Sequence, residues 1–359
     1  MIESLSDIPQ EQLLGRPSAP LELLGAEQLA GRRIAVTGAA GSVGGPLVRM
    51  LAALKPAGLL LLDNHEHTLF RLKLELGREM AIPTRWALAD IRDRRKLDLL
   101  FQAERPEIVF HLAAYKHVPL GEENPDQTVG VNLAGTRALL EAAAEAGAVR
   151  FIYPSSDKAV KPPSVYGGTK RIAEALALAA DRQFDMDVLI SRFVNIVGTR
   201  GSVIETFHSQ IAAGNPLTLT DPGMTRYWIT MAEATRLLAQ TACHAESGVI
   251  LMPDPGPAVN LAEMAHHLYR LLAPSGRGEC PIQYIGPRPG ERMHEILLAD
   301  TETAAPTCYP GIVQVVSSRG CRPDYREVSS QIDALLKTAE AGETAALRGH
   351  LLDLAHSLQ

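Results

Sequence analysis

Ile34-Ala35-Val36 runs directly into Thr37-Gly38-Ala39-Ala40-Gly41-Ser42-Val43-Gly44. A short apolar run gives way to glycines at three-residue spacing, then to a segment with Val43, Leu47, Leu51 and Leu54 on one helical face. Glycines at a strand-to-helix turn let the backbone approach a pyrophosphate, which the helix N-terminus stabilises. Gly38, Gly41, Ser42, Val43 and Gly44 are therefore the expected contacts of a dinucleotide. Working outward, the next apolar run, Leu59–Leu62, ends in Asp63-Asn64. A carboxylate there accepts hydrogen bonds from a ribose and repels a 2′-phosphate, so NAD is expected rather than NADP. Asp90-Ile91, after the third strand, is placed to frame the adenine. Further runs at Ile108–Leu112, Phe151–Tyr153 and Val188–Ile190 alternate with helical stretches such as Leu139–Ala146. Buried strands alternating with amphipathic helices predict an α/β protein with a Rossmann-type, doubly wound parallel sheet.

The rest of the chain sets bounds on function. Its 359 residues, 46% hydrophobic and 21% charged, are those of a globular protein. A net charge of −6 argues against phosphate neutralisation, hence against nucleic-acid partners. No apolar run reaches the ~18 residues of a membrane span. The N-terminus lacks the basic-then-apolar layout of a signal peptide. Cys243, Cys280, Cys308 and Cys321 lack the close spacing of a metal site. A reduced, cytoplasmic protein without metal is expected. Residues 1–30, with Pro17-Ser-Ala-Pro20, read as an arm. Residues 31–195, with a returning segment at about 230–254, read as the dinucleotide-binding core. Residues 196–229 and 255–330 read as a smaller C-terminal substrate-binding lobe, and 331–359 as a helical tail.

Chemistry concentrates in the middle. Only 8 lysines stand against 27 arginines, yet Lys116, Lys158, Lys161 and Lys170 fall in one stretch. Unlike Arg, a buried Lys can lose its proton. Tyr166-Gly-Gly-Thr-Lys170 places a phenol and an ammonium on one helix face, where a cation can lower the phenol's pKa and make it a base. Just before it, Ser155-Ser156-Asp157-Lys158 sets an acid beside an amine. Neighbours on a strand point to opposite faces, so both reach one substrate only if the chain turns, as Lys161-Pro162-Pro163 would allow. As residues alone, Asp157 and Lys158 could equally be a surface ion pair.

The chain resembles the extended short-chain dehydrogenase/reductases, and within them the UDP-N-acetylglucosamine 4,6-dehydratases of polysaccharide biosynthesis. The resemblance runs from about Gly31 to Leu297. It is carried by Thr37–Gly44, Leu62-Asp63-Asn64, His111-Leu-Ala-Ala-Tyr-Lys116-His117-Val-Pro, Glu122-Glu-Asn-Pro125 and Ser156-Asp157-Lys158-Ala-Val. Thr169-Lys170-Arg171, Gly198-Thr-Arg-Gly-Ser-Val203, Asp221-Pro-Gly-Met-Thr-Arg226-Tyr and Arg288-Pro-Gly-Glu291 complete it. Glu11–Arg16 looks like the linker that follows a membrane domain in longer relatives. The resemblance implies that Tyr166 deprotonates the sugar's 4-hydroxyl while hydride leaves carbon 4 for NAD. It implies that Lys158 removes the carbon 5 proton and that protonated Asp157 gives its proton to the departing 6-hydroxyl. Ser156 would bond the 4-oxygen, and Lys170 the nicotinamide ribose, with Ala113 and Ala114 against the cofactor. Asn195, Arg226 and Arg288, with Glu291, would hold the UDP moiety, and Lys116 and His117 would line the sugar site. Lys158 would need a lowered pKa. Helices around Asp126–Glu145 and Tyr166–Ala180 pair subunits in related enzymes, so a homo-oligomer is expected.

Departures keep alternatives open. Longer relatives carry Met where this chain has Tyr166, while shorter, carbon-5-inverting ones often have Arg and NADP where it has Asp63. Val194, Gly121 and Glu205 also differ from the usual residues near the sugar pocket. A UDP-sugar 4-epimerase, a dehydratase acting on another nucleotide sugar, and a non-catalytic NAD or nucleotide-sugar sensor are the rival readings. Asp157-Lys158 argues against the epimerase, and Tyr166 against the sensor.

Overall fold

The computed structural model describes residues 8–19, 22–77, 82–273, 278–318 and 323–359. Pro20 and Cys321 lie outside them. Each apolar run forms a strand: β1 (Arg33–Thr37), β2 (Gly58–Asp63), β3 (Thr84–Leu88), β4 (Ile108–His111), β5 (Arg150–Ser156) and β6 (Asp187–Phe193). With β7 (Ile250–Pro253), β8 (Glu302–Pro306) and β9 (Ile312–Ser317) they build one nine-stranded sheet, ordered β3-β2-β1-β4-β5-β6-β7-β9-β8. All neighbours from β3 to β7 pair in parallel, whereas β9 runs antiparallel to both β7 and β8. Strand order reverses between β1 and β4, and an open α/β sheet binds ligands in the crevice at such a reversal. The substrate lobe is corrected here. Residues 302–317, expected in that lobe, close the edge of the main sheet.

Two apolar layers cover the sheet, because strands buried on both faces need helices on both. Helices α1 (Gln10–Leu14), α3 (Glu66–Leu76), α4 (Arg94–Glu104), α7 (Val203–Ala213) and α9 (Leu261–Leu272) join the helices named below. On one side Phe110 and Ile152 pack with Leu47 and Leu51 from α2 (Gly44–Ala53) and Leu238 from α8 (Met231–Ala242). On the other, Phe151 and Val188 pack with Leu139 from α5 (Thr136–Glu145) and Leu176 from α6 (Val165–Gln183). Full burial of such side chains stabilises by roughly 1.5–3 kcal/mol each. A third core gathers Phe207, Leu219, Met224, Trp228 and Leu268 from residues 203–268, together with Ile8 and Leu13 of the N-terminal arm. Arg16 fixes that arm by a two-pronged ion pair to Glu233, at 2.8 and 3.2 Å.

The tail forms two helices, α10 (Tyr325–Glu340) and α11 (Thr344–Ser357), and both pack on α6. Leu351 sits so close to Gly168 that a Cβ there would lie 2.5 Å from its Cδ2. Fourteen of the 19 residues of α6 are buried within this one chain. Little of α6 is thus left for the subunit pairing expected of it.

Candidate active site

The turn after β1 is closed tightly. A Cβ on Gly44 would lie 2.1 Å from the Gly38 carbonyl oxygen, and one on Gly38 (φ 62°) 2.8 Å from the Ala113 nitrogen. Glycine at both positions is a steric requirement, and it brings β1's turn against the chain leaving β4. Asp63, at the end of β2, accepts from Ala40 N (3.0 Å) and His65 N (2.9 Å), which holds its carboxylate beside that turn. Exposed Asn64 follows it. Asp90 is clasped by Arg92 (Nη2–Oδ2 2.7 Å), and Ile91 is buried under Gly135. A turn that only glycine can close, with an acid at its rim, fits a dinucleotide. Sequence reasoning missed Arg200, whose backbone N donates to Ser42 Oγ (3.0 Å) and whose guanidinium donates to Ala40 O (2.7 Å). It lies in the quoted block Gly198–Val203, but one arginine among 27 carries no signal of its own.

A cavity of about 610 Å³ opens at the carboxyl ends of β4, β5 and β6. Val43, Ala114, Lys116, His117, Ser156, Lys158, Tyr166, Lys170, Asn195, Arg226, Arg288 and Glu291 all line it. Asp157 does not; it lies behind the wall at 1% exposure. The expected chain reversal occurs in a single helical turn, Asp157–Ala159, which Ser156 Oγ caps by accepting from Lys158 N. Lys161 follows with φ 45°. The Ser156 hydroxyl donates to Asp157 Oδ1 at 2.9 Å, while Asp157 Oδ2 is buried without a partner among the described residues. Burial pushes the Asp157 carboxyl up, towards the protonated form.

Lys158 differs from expectation. Its Nζ donates to Asp157 Oδ1 (3.1 Å) and Asn195 Oδ1 (3.3 Å) and lies 3.2 Å from Glu295 Oε1. Burial alone would loosen its proton, but the carboxyl groups of Glu295 and Asp157 beside it outweigh burial and raise its pKa. Tyr166 is corrected as well: burial raises its pKa, and the opposing pull comes first from Lys158 rather than Lys170. Lys170 instead donates to Pro154 O (2.9 Å), and burial lowers it to about 8. Glu295, unforeseen in the sequence, lines the same cavity and lies 3.4 Å from Arg226 Nε. Lys158, Arg226 and Arg292 together hold it below the usual carboxylate range despite burial.

Of the residues expected to hold the nucleotide, Asn195 Nδ2 donates to Tyr227 O (3.0 Å), while its oxygen faces Lys158. Arg226 Nη1 donates to Thr225 O (2.7 Å), and Glu291 Oε2 accepts from Thr220 Oγ1 (3.2 Å). Lys116 Nζ donates to Arg200 O (2.9 Å), which ties the loop after β4, through Arg200, to the glycine turn. Burial lowers both Lys116 and His117. Among the described residues no His, Cys, Asp and Glu cluster could hold a metal, and no helix is long and apolar enough to cross a membrane.

A doubly wound sheet with a glycine turn after β1 and a Tyr-x-x-x-Lys pair on the helix after β5 defines a short-chain dehydrogenase/reductase of the extended type. The sequence profile of the polysaccharide biosynthesis protein family matches residues 34–317, and the chain belongs to that family. The probable polysaccharide biosynthesis protein EpsC of Bacillus subtilis is 37% identical over 313 residues, 86% of this chain. The alignment covers 52% of EpsC, so the chain spans about half the length of that relative. A UDP-N-acetylglucosamine 4,6-dehydratase (inverting) of Campylobacter jejuni is 30% identical over 278 residues, covering 76% of this chain and 79% of that protein. Among solved structures, Pen from Bacillus thuringiensis superposes with a TM-score of 0.74 at 26% identity, covering 82% of this chain and 92% of that one.

Proposed function

We propose that the protein is an NAD-dependent nucleotide-sugar 4,6-dehydratase acting on UDP-N-acetylglucosamine. The observation that carries this reading is the acid–amine pair beside Tyr166. Asp157, pushed towards its neutral form, adjoins Lys158 and Ser156, both of which reach the cavity. Oxidation at carbon 4 alone needs one acid–base group. A second pair is needed only when water is also eliminated across carbons 5 and 6.

Bound NAD would supply the acceptor for hydride from carbon 4 and return it at carbon 6. The Gly38–Gly44 turn, Asp63, Asp90, Ile91, Ala113, Ala114 and Lys170 would hold it. Tyr166 takes the proton of the 4-hydroxyl, with Ser156 orienting that oxygen. Lys158 removes the proton of carbon 5, which a ketone at carbon 4 makes acidic. Asp157 holds the proton for the leaving 6-hydroxyl; the Ser156 hydroxyl, which donates to Asp157 Oδ1 at 2.9 Å, lies at the cavity wall and would turn to accept that proton while giving its own to the sugar. Cavity residues from the third-core side, Arg226, Arg288 and Glu291, would bind the diphosphate and uridine, since Arg suits bidentate phosphate contacts. Lys116 and His117 would bound the sugar.

The test is product mass after incubation of the purified protein with NAD and UDP-N-acetylglucosamine. Loss of one water from the nucleotide sugar supports the reading. A product of unchanged mass with an altered 4-hydroxyl would make the protein an epimerase.

A further inference from the structure

Three acceptors surround Lys158 Nζ: Asp157 Oδ1, Asn195 Oδ1 and Glu295 Oε1, at 3.1, 3.3 and 3.2 Å. An ammonium has three N–H donors and no lone pair. With each donor engaged, Lys158 is an ammonium in this site and cannot accept a proton until it loses one. Of its three neighbours the Asn195 amide cannot take that proton, and Asp157, pushed towards its neutral form by burial, is on the dehydratase reading the donor to the leaving hydroxyl. Glu295 remains, an ionised carboxylate with 4% of its side chain exposed.

We propose that Glu295 takes the proton that the Lys158 ammonium must lose before its amine can accept the carbon 5 proton, an inference that rests on the dehydratase reading above. The Nζ–H bond breaks and its proton passes to Glu295 Oε1, leaving a lone pair on Nζ and a neutral pair. The carbon 5–hydrogen bond then breaks. Its proton joins Nζ, and its electrons enter the enolate of the 4-ketone. As the carbon 6–oxygen bond breaks, the hydroxyl leaves as water with the proton of Asp157. With hydride returned at carbon 6, the proton of Lys158 goes back to carbon 5 and that of Glu295 to Lys158, which restores the pair, while the proton that Tyr166 took from the 4-hydroxyl replaces the one Asp157 lost. Glu295 acts through Lys158 and is a positioning and relay residue for it.

Glu295→Gln keeps the size and a hydrogen-bond acceptor but cannot take a proton, so the Lys158 proton must leave to solvent. Dehydration of UDP-N-acetylglucosamine is measured between pH 6.5 and 9.5 for both proteins. The relay predicts a rate at neutral pH lower by about 10²-fold or more, with the variant-to-wild-type ratio rising about tenfold per pH unit as solvent removes the proton. Asp157, Tyr166 and Arg226 also face Lys158, and Arg292 acts on Glu295. Removing the Glu295 charge lowers both Asp157 and Tyr166, and both changes bend the ratio downward with pH, opposite to the prediction. A ratio that stays flat while wild type dehydrates the sugar overturns the relay alone. Lys158→Met provides a second test: carbon 5 exchange that persists in that variant would make Glu295 the base itself and overturn the relay. Wild type that releases no dehydrated product overturns the dehydratase reading, and the relay with it.

Discussion

Glu174 and Arg192 form a two-pronged ion pair, Nε–Oε1 3.1 Å and Nη2–Oε2 3.0 Å, with each side chain 1% exposed. Glu174 lies one turn after Lys170 on α6, and Arg192 lies near the end of β6, just before cavity residues Phe193, Val194 and Asn195. Glu302 on β8 clasps the other side of the guanidinium at 2.7 and 3.0 Å. The pair thus fixes the helix that carries Tyr166 against the strand that forms the opposite wall.

Removing Arg192 would leave two buried carboxylates with only Arg171, at 3.1 and 3.6 Å, as a cationic partner. Arg192→Met is expected to destabilise the fold by about 3–5 kcal/mol. Denaturant unfolding checks this; a loss below about 1 kcal/mol would show that the network is not a structural anchor.

Tyr166→Phe removes the proposed acid–base group but keeps the ring. Turnover should fall by about 10²–10⁴ with little change in the Michaelis constant. Steady-state kinetics with UDP-N-acetylglucosamine decides, and unimpaired turnover would remove the tyrosine from the mechanism.

Cofactor preference rests on Asp63 beside the glycine turn. Calorimetry should give tighter binding of NAD than of NADP, and Asp63→Ala should narrow the gap. Tighter binding of NADP by the wild type would contradict the assignment.

His111 bridges β1 and α5: its Nδ1 accepts from the Thr37 hydroxyl (2.8 Å) and its Nε2 donates to Thr136 Oγ1 (2.9 Å). Thr136 already donates to Asn132 O, so Nε2 carries the hydrogen, and with burial holding the ring neutral Nδ1 is left as the acceptor. Burial and the Lys170 charge lower His111 from 6.5 to about 3. Its folded pKa lies below the unfolded one, so its contribution is complete above pH 6.5 and is lost as pH falls from there towards 3. Between pH 8 and pH 5 the loss is about 2 kcal/mol. Urea unfolding at both pH values, with His111→Asn as reference to cancel the carboxylates, measures it. Identical pH dependence in the two proteins would refute the shift.

The parallel core was legible because β1, β2 and β4 to β6 are continuous apolar runs, and the glycine turn because its spacing is a steric demand. β8 and β9 were not: Glu302–Pro306 has no continuous apolar run, Gln314 interrupts Ile312–Ser317, and their place is set by antiparallel pairing, β9 to β7 and β8 to β9. The proposed catalytic pair, Asp157 and Lys158, was readable as adjacent letters, whereas the state of Lys158 was not. That state depends on Glu295, one of 41 acidic residues, in an irregular stretch far along the chain. Likewise the shared face of α6 and the tail rests on Leu351 meeting Gly168, a contact without a local pattern.

The central claim is elimination of water across carbons 5 and 6, and it is tested most directly by NMR of wild-type turnover of UDP-N-acetylglucosamine in deuterated water. The account predicts a 4-keto-6-deoxy sugar with one deuterium at carbon 5, and loss of that exchange in Lys158→Met. A product that keeps its 6-hydroxyl and its carbon 5 hydrogen, changed only in configuration at carbon 4, would contradict it.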